Sequence, residues 1–245
     1  MFMTNSSKFL SDYFPNIPRR DLAASIVFKI PFLRELCLWL GNIDCSKKYC
    51  HKALQNGYSL FVYTGGEYEQ LLTDSNSDTI ILPHANRKGI IRLALEYGCR
   101  IIPIYVFGEE KLYKTSNFLL KWRIKIAKNL RIALPIAFGR FGSFIPLIPY
   151  KHKLTAIIGS PIITNESQEN RFQEFYNQYQ KNNNNTCSAN IIMSPIGGSY
   201  LKPANNVSEE EVDRVLAIYL KELQSLFNRH KHSVEGYERM NLKII

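Results

Sequence analysis

Two stretches of this chain follow the same order: a short amphipathic helix, a glycine, then a run of β-branched and aromatic residues. SKKYCHKALQN over 46–56 has Ser46 placed as a cap and Gly57 just beyond its end, and YSLFVY follows as a buried strand. RKGIIRLALEYG over 87–98 carries Ile90, Leu93, Ala94 and Tyr97 at helical spacing, with Asn86 as cap and Gly98 as stop. RIIPIYVFG over 100–108 then reads as a second strand, and LTAIIG over 154–159 as a third. Helix and strand in this rhythm predict an α/β sheet with at least some parallel pairs. The last helix is expected over 208–231, where Ser208 is followed by Glu209, Glu210 and Glu211, a charge order that suits a helix N-terminus.

At 245 residues with 45% hydrophobic side chains, one main domain covering 1–245 is the natural reading. The five cysteines are scattered and odd in number, without paired CxxC spacing, so neither a disulfide framework nor a metal site is expected. The opening MFMTNSSKFL lacks the basic and apolar regions of a secretory signal. No apolar run reaches the ~18 residues of a spanning helix. Two regions depart from the α/β plan. Residues 177–207 form a low-complexity insertion, whose asparagine-rich part NQYQKNNNNTCSAN is expected to be disordered. LAASIVFKIPFLRELCLWL over 22–40 is apolar but interrupted by Lys29, Pro31, Arg34 and Glu35. Pro31 divides it into two short pieces, which suit either buried core or an apolar platform dipping into one leaflet.

The net charge of +10 is concentrated, because no acidic residue lies between Glu110 and Glu166. That interval holds ten lysines and arginines from Lys111 to Lys153, threaded with Phe118, Leu119, Leu120, Trp122, Ile124, Ile126 and Leu130. Cations interleaved with large apolar groups match an anionic membrane surface better than nucleic acid, whose phosphates make no use of aliphatic side chains. An ordinary solvated helix face is the plainer alternative.

Two short motifs carry candidate chemistry. At the end of the first strand, Gly65 and Gly66 allow a sharp turn and close approach of a ligand, and Glu69 is placed to orient a hydroxyl or a basic partner. At the helix beginning after Asn86, Arg87 and Lys88 oppose the positive end of the macrodipole. A phosphate bound there by backbone N–H groups and both side chains would explain that placement, and solvation of the two side chains is the alternative.

The blocks FPNIPRRDLAASIVFKIPFLRELCLWLGNIDCS, TGGEYEQL, NRKGIIRLALEYGCRIIPIYVFGEE and GRFGSFIPLIPYKHKLTAIIGSPI, in this order, resemble the diacylglycerol acyltransferase type 2 family. That family includes monoacylglycerol and wax-ester acyltransferases, and the likeness runs from about Phe14 to Ile163 and resumes in the last helix. Most specific are the R-x-G block of Arg87 to Gly89, Pro103 and the F-G-E of Phe107 to Glu109. The resemblance implies a glycerolipid-acyltransferase-like sheet flanked by helices, on the cytosolic face of the endoplasmic reticulum membrane. It implies transfer of a fatty acyl group from acyl-coenzyme A to the hydroxyl of diacylglycerol or a related glyceride, without cofactor or metal, and leaves oligomerisation open. Gly65, Gly66, Asn86, Arg87, Lys88 and Gly89 become substrate-binding candidates, and Glu69 a supporting catalytic group.

The family's base is a histidine in an HPHG motif, which does not occur in these 245 residues. His84 in LPHAN sits where the family has no catalytic group, and no argument from sequence brings His51, His152, His230 or His232 to Gly65 and Glu69. The alternative to an enzyme is therefore an inert membrane-associated protein that binds acyl-coenzyme A or glycerides. In the complete reading frame an HPHG and a preceding apolar segment are expected upstream of Met1. Long-read transcript sequencing checks this, and a stop codon directly upstream in every isoform would sink it.

Overall fold

The computed structural model describes residues 18–64, 79–82, 88–116, 118, 122–125, 137–140, 148–164, 191–194 and 207–244. Its centre is a five-stranded mixed sheet in the order β2-β1-β3-β10-β5. These strands are β1 (Arg19–Ala23), β2 (Asn42–Asp44), β3 (Ser59–Val62), β5 (Arg100–Ile102) and β10 (Ile191–Ser194). β1 pairs in parallel with both β2 and β3, while β10 lies antiparallel between β3 and β5. β5 therefore runs in the same direction as β1, β2 and β3. The C-terminal ends of four strands face one edge of the sheet.

All four residues of β3 are buried, and their alternation sets up two cores. Leu60 and Val62 point to the larger one, together with Ile101 of β5. Three helices supply much of it: α2 (Lys47–Gln55) with Cys50, Ala53 and Leu54, α3 (Lys88–Glu96) with Ile91, Leu93, Ala94 and Leu95, and α4 (Glu209–His230). Phe61 points the other way, into a smaller cluster with Ile102 and Ile104. Truncating a fully buried side chain such as Leu60 or Leu54 would cost about 2–5 kcal/mol.

Both helix-to-strand turns read from the sequence close in the same way. Gly57 has φ +76° and Gly98 φ +59°, the left-handed conformation that ends a helix at least cost in glycine. Gly57 N–H donates to Leu54 and Tyr58 N–H to Ala53; Gly98 and Cys99 repeat the pair of bonds onto Leu95 and Ala94. Ser208 caps α4 as expected, its Oγ accepting from Glu211 N–H at 3.2 Å. Ser46 does not cap α2 through its side chain. Its N–H instead donates to Asp44 Oδ1 at 2.7 Å, and Ser25 Oγ donates to the same oxygen at 2.6 Å. Burial works against the charged form of Asp44, yet these hydrogen bonds outweigh it and hold the carboxyl below its ordinary range.

Other expectations are corrected. The stretch 100–108 is two strands rather than one. Pro103 has no N–H to give a ladder, so β5 stays in the central sheet while β6 (Ile104–Phe107) pairs antiparallel with β9 (Thr155–Ile158). The Pro103 carbonyl accepts from Gly159 N–H at 2.8 Å. The stretch 22–40 is not buried core: a 3₁₀ turn at Val27–Lys29 leads to α1 (Leu33–Trp39), in which Cys37 alone is buried. Residues 177–190 lie outside those described, whereas Ile191–Ser194, also within the 177–207 stretch, supply β10. The shorter pairs are β4 (Thr79–Leu82) with β11 (Asn241–Ile244), and β7 (Lys114–Thr115) with β8 (Ala137–Phe138).

A clasp after α4 holds the end of β6. Buried Tyr237 packs edge-on against Phe107 at 5.0 Å, its Oη accepts from Gly108 N–H at 2.5 Å, and its hydroxyl donates to Glu110. Burial, together with the Glu110 carboxylate, pushes this phenol well above its ordinary pKa, so it stays a donor at all working pH. Tyr237→Phe would leave the buried Gly108 N–H without its acceptor. The expected loss is about 1–3 kcal/mol in urea unfolding, and a change near zero would show that the clasp carries no stability.

Candidate functional site

In open α/β sheets the C-terminal ends of the strands are where loops gather and ligands bind. Here that edge receives Asp44 from β2, Tyr63 and Thr64 after β3, and Pro103 after β5. α3 brings its first turn to the same side. It ends at Glu96, four residues before β5 starts at Arg100, and packs on the sheet while running back along it for about 13 Å. Its N-terminus therefore lies towards the edge at which β3 ends.

Of the seven site residues expected from the sequence, Lys88 and Gly89 are described. Gly65, Gly66, Glu69, Asn86 and Arg87 lie outside the described residues, as does His84. What is seen are the flanks: Thr64, one residue before Gly65, and Lys88, one residue after Arg87. The fold directs both towards one edge.

Lys88 does not simply point into water. Its Nζ lies 2.5 Å from Asp213 Oδ1 in the second turn of α4, and one helical turn on, Arg92 pairs with Glu209. The two pairs run in opposite order along the helices, 88 to 213 and 92 to 209, which fixes α3 and α4 as antiparallel neighbours. Both pairs are substantially exposed, so their worth in stability is at most about 1 kcal/mol each. Their effect is on placement: they set the direction of the Lys88 ammonium at the start of α3, and a bound anion would have to compete with Asp213 for it.

Gly89 sits on the exposed side of the first turn, and a Cβ built there would meet nothing within 4 Å. Gly159 is the contrast: a Cβ there would stand 2.7 Å from Leu226 Cδ1 and 2.8 Å from Pro103 Cγ. Space inside the described fold thus requires glycine at 159 and not at 89.

At the end of β3, Thr64 Oγ1 lies 3.3 Å from the hydroxyl of buried Tyr219 on α4. Sequence reasoning missed both Tyr219 and Asp213. Tyr219 falls on the apolar stripe of α4 with Val212, Val215, Leu216 and Leu223 and reads as core, which its ring is. Only the three-dimensional fold shows that its hydroxyl reaches the strand end.

The described histidines sit elsewhere. His51 Nδ1 is 2.7 Å from Tyr97 Oη and His51 Nε2 is 3.5 Å from Glu96 Oε2, at the end of α3 opposite Lys88. His152 lies beside Gly108, with Nδ1–H donating to the Lys153 carbonyl at 3.0 Å. His230 ends α4, and His232 is exposed in the 3₁₀ turn that follows. Among the described residues no group of three His, Cys, Asp or Glu side chains is arranged to hold a metal ion, and no helix is long and apolar enough to cross a membrane.

The described end of β3 and start of α3 lie towards one edge of the sheet, where α/β proteins of many kinds bind their ligands. Comparison with known proteins names the kind. Residues 1–185 match the family described as diacylglycerol acyltransferase. Diacylglycerol O-acyltransferase 2 of Dictyostelium discoideum is 29% identical, over 99% of this chain and 64% of that protein. Diacylglycerol O-acyltransferase 1 of Saccharomyces cerevisiae is 30% identical over 68% of this chain and 43% of its own length. 2-Acylglycerol O-acyltransferase 1 of Mus musculus is 25% identical over 94% of this chain and 60% of its own length. The chain thus spans between 43% and 64% of the length of these relatives. No solved structure matches it. The chain belongs to the diacylglycerol acyltransferase family.

Gly89→Ala provides a local check on the geometry. Alanine at an open position in α3 is expected to leave stability unchanged or raise it by up to ~1 kcal/mol, whereas Gly159→Ala should lower it by about 1–3 kcal/mol. Urea unfolding of the two variants side by side measures both. A clear loss at Gly89 would mean that the start of α3 is more closely covered than the described residues show.

Proposed function

We propose that this chain takes part in O-acyl transfer: a fatty acyl group passes from acyl-coenzyme A to the hydroxyl of diacylglycerol or a related glyceride. The observation that carries the reading is the family match over residues 1–185. Convergence of the β3 end and the α3 start on one edge supports it. In the reaction the acceptor oxygen attacks the thioester carbonyl, an ester C–O bond forms, and the C–S bond breaks. The hydroxyl proton goes to a general base, and coenzyme A leaves as a thiolate that takes up a proton.

Within this reading Gly65 and Gly66 let the reacting carbonyl approach the backbone, and Glu69 orients the acceptor hydroxyl or the base. Lys88 and Gly89 at the start of α3, together with Asn86 and Arg87 just before them in the sequence, take a phosphate of coenzyme A through N–H groups and two cations. Lys88 would exchange Asp213 for that phosphate. The base itself is the HPHG histidine of the family, which residues 1–245 do not contain.

The setting we propose is the cytosolic face of the endoplasmic reticulum membrane. The basic stretch 111–153 offers exposed Lys114, Lys125, Arg140, Lys151 and Lys153 beside Phe118 and Trp122, whose side chains are also exposed. Arg123 does not contribute to that surface, since it is buried and its Nη1 donates to the Ser116 and Phe118 carbonyls.

Purified protein with radiolabelled acyl-coenzyme A and diacylglycerol in detergent tests the proposal. Residues 1–245 alone should bind acyl-coenzyme A yet turn it over 10²- to 10⁴-fold more slowly, in order of magnitude, than a chain that also carries the HPHG segment, because that factor is what a lost base typically costs. In the active chain Glu69→Gln should lower kcat more than affinity. Arg87→Gln with Lys88→Gln should weaken acyl-coenzyme A binding about tenfold or more, and Asp213→Asn should leave it equal or tighter. Full activity from residues 1–245 would place the base within this chain and make His84 the first residue to replace. Unchanged affinity in a folded double variant would return Arg87 and Lys88 to the solvent.

A further inference from the structure

Between β1 and β2 the chain makes an excursion, residues 24–41, that the core does not absorb. It leaves the C-terminal end of β1, where the Ser25 hydroxyl is fastened to Asp44 at the end of β2. It passes through the Val27–Lys29 turn and α1 and returns through Gly41 at φ +77°. Cys37 is its buried anchor, and Leu33, Leu36 and Leu40 are half-buried. The other large apolar groups face out: Trp39 is 82% exposed, Phe32 78%, Leu38 49% and Ile30 42%.

This exposure is held in place. Phe32 takes φ +71°, a conformation a bulky side chain seldom adopts, and is the only described non-glycine residue with positive φ. Its N–H donates to Glu35 Oε2 at 3.2 Å, and its carbonyl accepts from Leu36 N–H at 3.0 Å. Lys29 and Arg34 rise from the same excursion, both exposed. Lys47 and Lys48 begin α2 immediately after the fastened Asp44. Glu35 is the one exposed acid on the excursion, and it is occupied by Phe32 N–H and by Arg34 Nε at 3.9 Å.

Two properties of the patch identify what covers it. Its composition is two largely exposed aromatics, Phe32 and Trp39, set beside the half-exposed aliphatic groups of Ile30 and Leu38. The charge around the patch is basic, and an indole flanked by lysine and arginine is the composition of side chains that settle at the boundary between headgroups and acyl chains. We propose that residues 26–40 are an interfacial insertion element: Phe32, Leu38 and Trp39 enter the acyl boundary of an anionic phospholipid bilayer, while Lys29 and Arg34 meet its headgroups. The inference rests on the membrane setting proposed above and deepens it. The excursion starts at the same sheet edge as Thr64, so insertion turns the candidate site towards a bilayer-dissolved acceptor.

The test uses the full chain carrying Trp122→Phe, in which Trp39 is the remaining tryptophan. With phosphatidylcholine vesicles containing phosphatidylserine, Trp39 emission should shift to the blue and be quenched by lipids brominated on their acyl chains. Phe32→Ala with Leu38→Ala should weaken vesicle partition tenfold or more and leave the circular dichroism unchanged. Quenching is read without any substitution in the excursion, so the inference stands or falls even if that variant does not fold. Flotation without a Trp39 shift or quenching overturns the insertion element and leaves the membrane setting intact. No flotation with any vesicle overturns both, and acyl-coenzyme A binding in solution then judges the transfer reading separately. A Trp39 shift that depends on protein concentration alone, with a dimer on sedimentation, assigns the patch to a second copy and overturns the proposal.

Discussion

Burial of β3 on both faces is the constraint from which the other placements follow. A strand whose two sides are covered needs apolar side chains in both directions, and Leu60, Phe61 and Val62 supply them. Leu60 and Val62 demand helices above, which α2, α3 and α4 provide, and Phe61 demands the smaller cluster of Ile102 and Ile104 below. Because β1 pairs with β3 in parallel, with Asp21 opposite Phe61, the chain must cross over between them. The same holds between β3 and β5. α2 makes the last of that crossing, from β2 to β3, and α3 packs on the sheet on the way to β5, so that its direction brings a helix start to the edge where the strands end.

α4 secures this arrangement from outside. It gives Val212, Val215, Leu216, Tyr219, Leu223 and Phe227 to the main core, pairs with α3 through Asp213 and Glu209, and reaches β6 through Phe227, which stacks on Phe107 at 5.6 Å. The chain that follows it places Tyr237 over Gly108. One helix thus touches both flanks of the candidate site and also the turn after β6. The family match ends at residue 185, before α4 begins, so α4's contribution to the site emerges from packing and not from that match.

Local rules made part of this legible. The 3.6-residue spacing and the two closing glycines located α2 and α3 within a residue or two, because a left-handed residue after a helix is cheapest as glycine. Ser208 read as a cap for the same kind of local reason. What failed depended on partners far along the chain. Residues 100–108 looked like one strand because composition does not say that Pro103 sends its two halves to different neighbours. Lys88 looked free because Asp213 lies 125 positions away. The apolar run 22–40 was ambiguous in principle: a hydrophobic pattern states that a surface prefers to leave water, and does not state what covers it. Only the exposure of Phe32 and Trp39 separates the two answers.

The proposed reaction joins two substrates of opposite solubility, and this gives the shared edge a physical meaning. In that proposal a coenzyme A thioester, with several phosphate charges, would arrive from water, and the cations proposed to bind it would act over roughly one Debye length, about 8 Å at physiological salt. A glyceride remains in the bilayer and is reached only by a protein surface that can enter the acyl boundary. A buried pocket would serve neither arrival well, since it would strip water from the phosphates and also require the glyceride to leave the lipid. An edge shared by the start of α3 and the exposed Phe32–Trp39 excursion would let each substrate of the proposed reaction come from its own phase. In such a design the Lys88–Asp213 pair is a fitting rest state: the carboxylate holds the ammonium in position while the site is empty, and being exposed it costs little to exchange for a phosphate of higher charge.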